Sequence, residues 1–209
     1  PSILKFLDTC RASKKANWTD AAQVLGAHFY GPYFFPEARG CHPAEPIVAP
    51  TPEHFNSFLA YADTIITASV APELPGAEAF VKACLEKKIL CNAGHSHATF
   101  SQVEAAVQWG VRHVDHLFCA MSDRAKLRLT QTYPMRGGLF EATLFFNELT
   151  TEIIADGKHL ADDLLRLAFK IKGPDALALV TDANRALDMP DGEYIFGNKD
   201  EGCTILKRD

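Results

Sequence analysis

Two histidines end apolar runs on short polar segments: His95 in Gly94-His95-Ser96-His97 and His116 in Asp115-His116-Leu117. On neighbouring parallel strands, which lie ~4.8 Å apart, both imidazoles reach one ion. A catalytic zinc takes about three protein ligands and keeps one position for water. The competing reading is a pair of core or capping histidines. Asp182, in Val180-Thr181-Asp182-Ala183, ends the most apolar run of the chain. A carboxylate there serves as a general base beside a metal, or as the N-cap of the next element. His159 follows Ile154-Ala155-Asp156-Gly157-Lys158 and either polarises a substrate carbonyl or faces solvent. Arg136, beside Gly137-Gly138, offers a fork that matches phosphate oxygens, or makes a surface ion pair. Cys41 and Cys119 fall in the same region without the partnered base a nucleophilic thiol needs. No dinucleotide fingerprint and no Walker-type phosphate loop is present.

The elements that must position these groups alternate along the chain. Residues 24–31, 64–70, 89–95, 113–118, 151–156 and 176–181 read as strands. Residues 2–16, 53–62, 77–88, 100–110 and 161–172 read as helices. That alternation means βα units and a parallel sheet. Residues 33–52, rich in proline, form a long irregular loop of the kind that carries function. His28 to Tyr30, Glu73, His95, His116, Asp156 to His159 and Asp182 all fall at or just past the C-terminal ends of strands, where open α/β sheets and β/α barrels place their active sites. Simple alternation along 113–116 puts His113 on the face opposite His116, toward the helices. An eight-stranded barrel needs two strands more than these six and ~250 residues. The expectation is therefore an α/β fold, a TIM-type β/α barrel whose first two strands lie outside the chain, with residues 1–209 as one partial catalytic domain.

Composition narrows the partners. With 47% hydrophobic and 22% charged residues the chain is ordinary for a folded protein. Twenty-one Lys and Arg against 26 Asp and Glu give a net charge of −5, which argues against nucleic acid. No apolar run approaches the ~20 residues of a membrane span, and no signal peptide is visible. The six cysteines lack a C-x-x-C pair or a dense framework, so reduced thiols and a cytoplasmic setting are expected.

Seven segments, in order, resemble the N-acetylglucosamine-6-phosphate deacetylases of the amidohydrolase superfamily of metal-dependent β/α barrels. LGAHFYGPYF (25–34) is similar to G-x-H-x-E-G-P-F, RGCHP (39–43) to K-G-A-H-N-P, and ASVAPE (68–73) to T-x-A-P-E. NAGHSHAT (92–99) is similar to A-G-H-[ST]-x-A-T, and VDHLFCAM (114–121) to T-H-L-[FY]-N-A-M. IIADGKH (153–159) and KGPDALALVTDA (172–183) match almost verbatim. The resemblance implies removal of the acetyl group from an amino-sugar phosphate, giving acetate and a free amine. It implies one divalent metal ion, zinc before iron or another, on His95 and His116, and Asp182 as the catalytic aspartate. It places His159, Cys41, Cys119 and Ala120 at substrate-contacting positions, and Arg136 one place from the family's phosphate-binding arginine. Tyr30 stands where the family has a metal-binding glutamate, and Cys119 where it has asparagine. Extra residues lie between Met121 and Gly138, and the family's H-x-H strand and small β-domain are absent. The Tyr30 departure supports an alternative, a sugar-phosphate-binding relative that does not hydrolyse its ligand or has an altered specificity. Strand edges left open by missing strands favour pairing with a second copy, so a homodimer is the remaining partner expectation.

Overall fold

A computed structural model of the chain describes residues 2–16, 18–130, 133–197 and 202–208. All six expected strands are present: β1 (Ala27–Phe29), β2 (Ile65–Val70), β3 (Leu90–Ala93), β4 (His113–Val114), β5 (Thr150–Ile154) and β6 (Leu177–Val180). They form one parallel sheet in the order β1-β2-β3-β4-β5-β6, curled into a half-barrel. Each connection carries the chain back along one side of the sheet. The long helices there are α2 (Pro52–Leu59), α3 (Ala77–Glu86), α4 (Phe100–Trp109), α6 (Leu139–Phe145) and α7 (Asp162–Lys172). Neighbours in this series pack on one another, α2 on α3, α3 on α4, α4 on α6 and α6 on α7. The N-terminal helix α1 (Ser2–Ala16) adds Leu7 to the same core, and a short α5 (Arg124–Leu127) precedes α6.

Local sequence explains the helix ends. Thr51 accepts the His54 N–H at 3.3 Å, and Pro52 occupies the first helical position of α2. Gln102 Oε1 accepts the Thr99 N–H at 2.8 Å at the start of α4, which Gly110 ends in a left-handed conformation, φ 113°. In α7, Asp162 and Asp163 occupy the first turn and Lys170 and Lys172 the last, complementing the helix dipole.

The sheet has two unlike faces. Ala68, Val70, Cys91, Ala93, Val114 and Ile153 point to the helices and are buried. On the concave face, Ser69 pairs with Asn92 and Asn92 with His113, and Glu152 follows on β5. Parallel strands usually read apolar on both faces; here the concave face is polar. His113 therefore lies on this concave face, not toward the helices as simple alternation predicts. The helix-facing position belongs to Val114, and His116 turns inward because its own φ is +23°, which breaks the strand periodicity.

Two elements escape the periodicity reading. The α5–α6 pair lies in residues 124–145, to which the periodicity assigns no element. An antiparallel hairpin, β7 (Gly192–Phe196) with β8 (Cys203–Lys207), forms a separate two-stranded sheet. Its residues are half-buried or exposed, so no strong apolar pattern marks them.

An aromatic cluster anchors the first βα units. The Phe80 ring lies 4.8 Å from Tyr33, 5.6 Å from Phe55 and 6.3 Å from Phe29, and is 1% exposed. Phe80→Ala is expected to cost about 3–5 kcal/mol, the range for emptying a buried aromatic site, read as a lower urea midpoint at unchanged slope.

Candidate active site

The loops after β1, β2, β3 and β4 are laced together by backbone hydrogen bonds. Phe35 N–H donates to His95 O at 2.9 Å, Ala71 N–H to Tyr33 O at 2.8 Å, and Ser96 N–H to Ala120 O at 3.1 Å. Glu73 clamps the same region from below β2. It accepts the Ser96 hydroxyl at 2.7 Å and the His97 N–H, and burial pushes its carboxyl above the usual range. This lacing joins loops that hold non-glycine residues in the left-handed region, His95 (φ 46°), His116 (φ 23°), Phe118 (φ 77°) and Ala120 (φ 46°); Asp182 (φ 48°), after β6, shares the conformation. Each costs of order 1–3 kcal/mol, and such residues cluster where function requires them.

His95 and His116 converge as expected. Their Nε2 atoms are 3.1 Å apart, and the Tyr30 hydroxyl lies 2.7 Å from the first and 2.6 Å from the second. One tautomer set satisfies this triangle. His95 Nδ1 is 2.8 Å from the Ala38 carbonyl, which can only accept, so the proton sits on Nδ1 and Nε2 carries a lone pair. Tyr30 has one hydrogen and donates it to His95; His116 Nε2–H then donates to the phenol oxygen. His116 Nδ1 is buried with no hydrogen-bond partner. Phe34 stacks on the His95 ring at 4.2 Å, and burial, then the neighbouring His116, pushes the His95 pKa down to about 3. Tyr30 is pushed well above the usual phenol range by burial, then by the charges of Asp115, Asp182 and Glu152.

These positions bear on a metal. Two ligands ~2.1 Å from a tetrahedral ion lie roughly 3.4 Å apart, close to the imidazole separation. A hydrogen-bonded Nδ1 that fixes the Nε2 lone pair is how ligand histidines are oriented. The spacing of the pair and the oriented lone pair of His95 fit a divalent ion; His116 would join it only with its proton moved to Nδ1, which has no partner here. Tyr30 offers a neutral oxygen where a carboxylate would offer an anionic one.

Asp182 is exposed at the end of β6. Its charge raises the pKa values of Tyr30, Cys41 and Cys119 and opposes the burial that lowers His42. His159 and Asp182 line a cavity of about 680 Å³ bounded by Ile205 and Leu206 of the hairpin. Asp156 accepts the Lys158 and His159 N–H groups, each at 2.9 Å, and the His159 ring at 2.7 Å. Those bonds hold its carboxyl below the usual range. Cys119 is half-buried beside Ala120, and Cys41 is exposed in the turn after the Pro36–Ala38 segment. Arg136 is exposed and makes no hydrogen bond or ion pair with the other described candidates, so the structure does not bring it into this group.

Two contributors were not singled out by sequence reasoning. The His42 ring stands 5.0 Å from His95, 5.7 Å from Tyr30 and 5.4 Å from Phe196 of the hairpin, with burial lowering its pKa. Its position in RGCHP, directly after Cys41, was the available signal. The second is a buried network on the concave face. Asp115 accepts the Ser69 hydroxyl at 2.5 Å and the Asn92 amide at 2.8 Å, and His28 Nε2 lies 2.7 Å from Ser69 Oγ. Only glycine fits at position 94, since a Cβ there would overlap the Asp115 carboxylate.

A parallel half-barrel with a histidine-centred cluster at the C-terminal ends of its strands is the arrangement of β/α-barrel enzymes. No family model matches the chain. The N-acetylglucosamine-6-phosphate deacetylase of Lysinibacillus sphaericus is 32% identical over 182 residues, 87% of this chain and 45% of that protein. Among solved structures, the N-acetylglucosamine-6-phosphate deacetylase from Pasteurella multocida superposes with a TM-score of 0.83 at 32% identity, covering 99% of this chain and 50% of that one. The N-acetyl-D-glucosamine-6-phosphate deacetylase mutant from Mycobacterium smegmatis, in complex with N-acetyl-D-glucosamine-6-phosphate, superposes with a TM-score of 0.80 at 27% identity, covering 92% and 47%. At about 32% identity over most of its length the chain is homologous to proteins named N-acetylglucosamine-6-phosphate deacetylase, and it spans about half the length of the curated relatives it matches.

Burial of a neutral His95 makes stability depend on pH. The unfolded chain protonates this residue near 6.5 and the folded one near 3, so the full contribution is present above about pH 6.5 and is lost as pH falls toward 3. Between pH 7 and pH 5 the loss is about 2 kcal/mol for this one residue. Urea midpoints should fall accordingly over that interval, and His95→Gln should flatten the dependence.

Proposed function

We propose that the protein carrying this chain hydrolyses the N-acetyl group of N-acetylglucosamine 6-phosphate, giving glucosamine 6-phosphate and acetate. The observation that carries the reading is the convergence of the His95 and His116 Nε2 atoms, 3.1 Å apart, at the C-terminal ends of their strands. In this reading the imidazole pair holds one divalent ion, zinc in preference to iron or another, because neutral imidazole suits it. Such an ion, when bound, lowers the pKa of its water toward ~7 and polarises a carbonyl.

The chain's own groups supply the rest. Asp182 takes a proton from the attacking water at a carboxylate oxygen, then returns it to the nitrogen as the C–N bond breaks. His159, tethered through Nδ1 to Asp156, presents Nε2 to the substrate; as an imidazolium it donates to the acyl oxygen, and as a neutral ring it accepts from a sugar hydroxyl. The segments at Cys41, Cys119–Ala120 and Arg136 take the sugar phosphate, which requires Arg136 to swing in from its exposed position. The six-stranded sheet is part of an eight-stranded barrel, with residues 1–209 forming one partial domain. Its supports are the unpaired edges of β1 and β6, the 61% exposure of Leu90 and 77% of Leu179, and the greater length of the relatives.

Tyr30 favours a second reading, a sugar-phosphate binder without turnover, because its phenol stays protonated between the two histidines. Acetate release from N-acetylglucosamine 6-phosphate by zinc-loaded protein separates the two. The hydrolytic reading expects turnover, a loss of at least about a hundredfold in kcat for Asp182→Asn, and retained zinc in that variant. Full activity of the Asn variant would remove Asp182 from this role. Binding without acetate release would leave the second reading. Tyr30→Glu, which places a carboxylate of pKa ~4.3 at this position, should raise zinc affinity at least tenfold by equilibrium dialysis.

A further inference from the structure

Below the Tyr30–His95–His116 triangle, three side chains of the concave face meet without a described cation among them. His113, Asp115 and Glu152 each offer a ligand atom, and all three atoms lie within 4.8 Å of one another. Thr150 Oγ1 lies 3.2 Å from the Arg112 carbonyl and 2.7 Å from His113 Nδ1. When the hydroxyl donates to the carbonyl, a neutral His113 carries its proton on Nδ1 and turns the Nε2 lone pair toward Glu152 Oε2, 3.4 Å away, an arrangement that a cation between the two atoms completes.

Asp115 completes the set from the other side. Its oxygens accept from Ser69 and Asn92, which leaves a lone pair on each, since an ionised carboxylate offers about four acceptor sites. It is fully buried, and among the described residues no lysine or arginine pairs with it or with Glu152. The His113–Glu152 separation equals the roughly 3.4 Å kept by two ligands of a tetrahedral ion. The His113 and Glu152 side chains are 23% and 22% exposed, which gives an ion a way in, and Gly94 leaves the room Asp115 occupies.

We propose that His113, Asp115 and Glu152 form a second cation site, one layer deeper in the half-barrel than the His95–His116 pair. Its ligand is a small divalent cation of the class that accepts one imidazole and two carboxylates, such as zinc, cobalt(II) or manganese(II). The site does not depend on the deacetylase reading.

The test is titration of the protein with Co²⁺, following visible d–d absorption for stoichiometry and affinity. The absence of thiolate-to-metal charge-transfer absorption excludes the cysteines. The wild type should bind with imidazole–carboxylate character. Glu152→Gln and His113→Gln should each weaken that binding at least tenfold, while the His95→Gln/His116→Gln protein retains it. Circular dichroism and urea midpoints establish that each variant is folded. Where a variant fails to fold, the shift of the His113 ring signals on adding Zn²⁺ to the wild type replaces it. No uptake by folded wild type, an unmoved His113 ring, or uptake that survives both His113→Gln and Glu152→Gln would overturn the site. In that case a hydrogen bond from His113 Nε2–H to Glu152 accounts for the geometry. Loss of all binding in the His95→Gln/His116→Gln protein would overturn it equally, whereas loss of acetate release alone bears only on the deacetylase reading.

Discussion

One phenol oxygen sets the geometry of the site. Tyr30, at the end of β1, hydrogen-bonds both His95 after β3 and His116 after β4. Its hydroxyl thus bridges residues 65 and 86 positions away in sequence. Each bond is worth about 0.5–1.5 kcal/mol net, yet the consequence exceeds the sum. With Nδ1 of His95 committed to Ala38, the whole triangle has a single proton arrangement. A glutamate at the same position would leave the two imidazoles facing an anion, a cluster that invites a cation. The tyrosine instead closes the cluster with protons already present.

Polarity on the concave face follows from the same architecture. A buried carboxylate such as Asp115 is tolerated only with its oxygens satisfied, and Ser69 and Asn92, one on each preceding strand, do this in register. The polar floor therefore costs nothing in orphaned groups around Asp115, while the convex face carries the hydrophobic core. Function and stability occupy opposite sides of the same strands. Leu90, on the same face as Asn92, is 61% exposed, and Leu179, in register with Ile153 on the helix-facing side of edge strand β6, is 77% exposed.

The legible and illegible parts of the sequence divide on physical lines. Strands β1 to β5 could be read because each has a buried helix-facing row, and β6 from its apolar run although none of its residues is buried; the βα alternation pointed to a parallel sheet. The placement of His95, His116 and Asp182 at strand ends was readable for the same reason. The extent of β4 was not, since the strand stops at Val114 where His116 enters the left-handed region. The mistaken face for His113 has the same origin: alternation holds only while the backbone stays extended. The hairpin was missed because its residues never become fully buried, and α6 because it lies among turn-forming residues. Tyr30 could be seen as a departure from a motif, but its role between two histidines depends on distances no spacing encodes. The His113–Asp115–Glu152 cluster likewise joins two strands whose contact follows only from register.

The left-handed backbone at His95, His116 and Asp182 has a consequence for how the side chains can be interrogated. Alanine at such positions removes a functional group and also introduces a residue that resists positive φ. An alanine scan would therefore conflate two losses, the missing chemistry and a rearranged loop. Asparagine visits this conformation more readily than most residues, so it serves as the cleaner probe at all three. Glycine serves as the matching control for the backbone alone. The difference between the wild type and the asparagine variant then reports what the ring or carboxylate contributes.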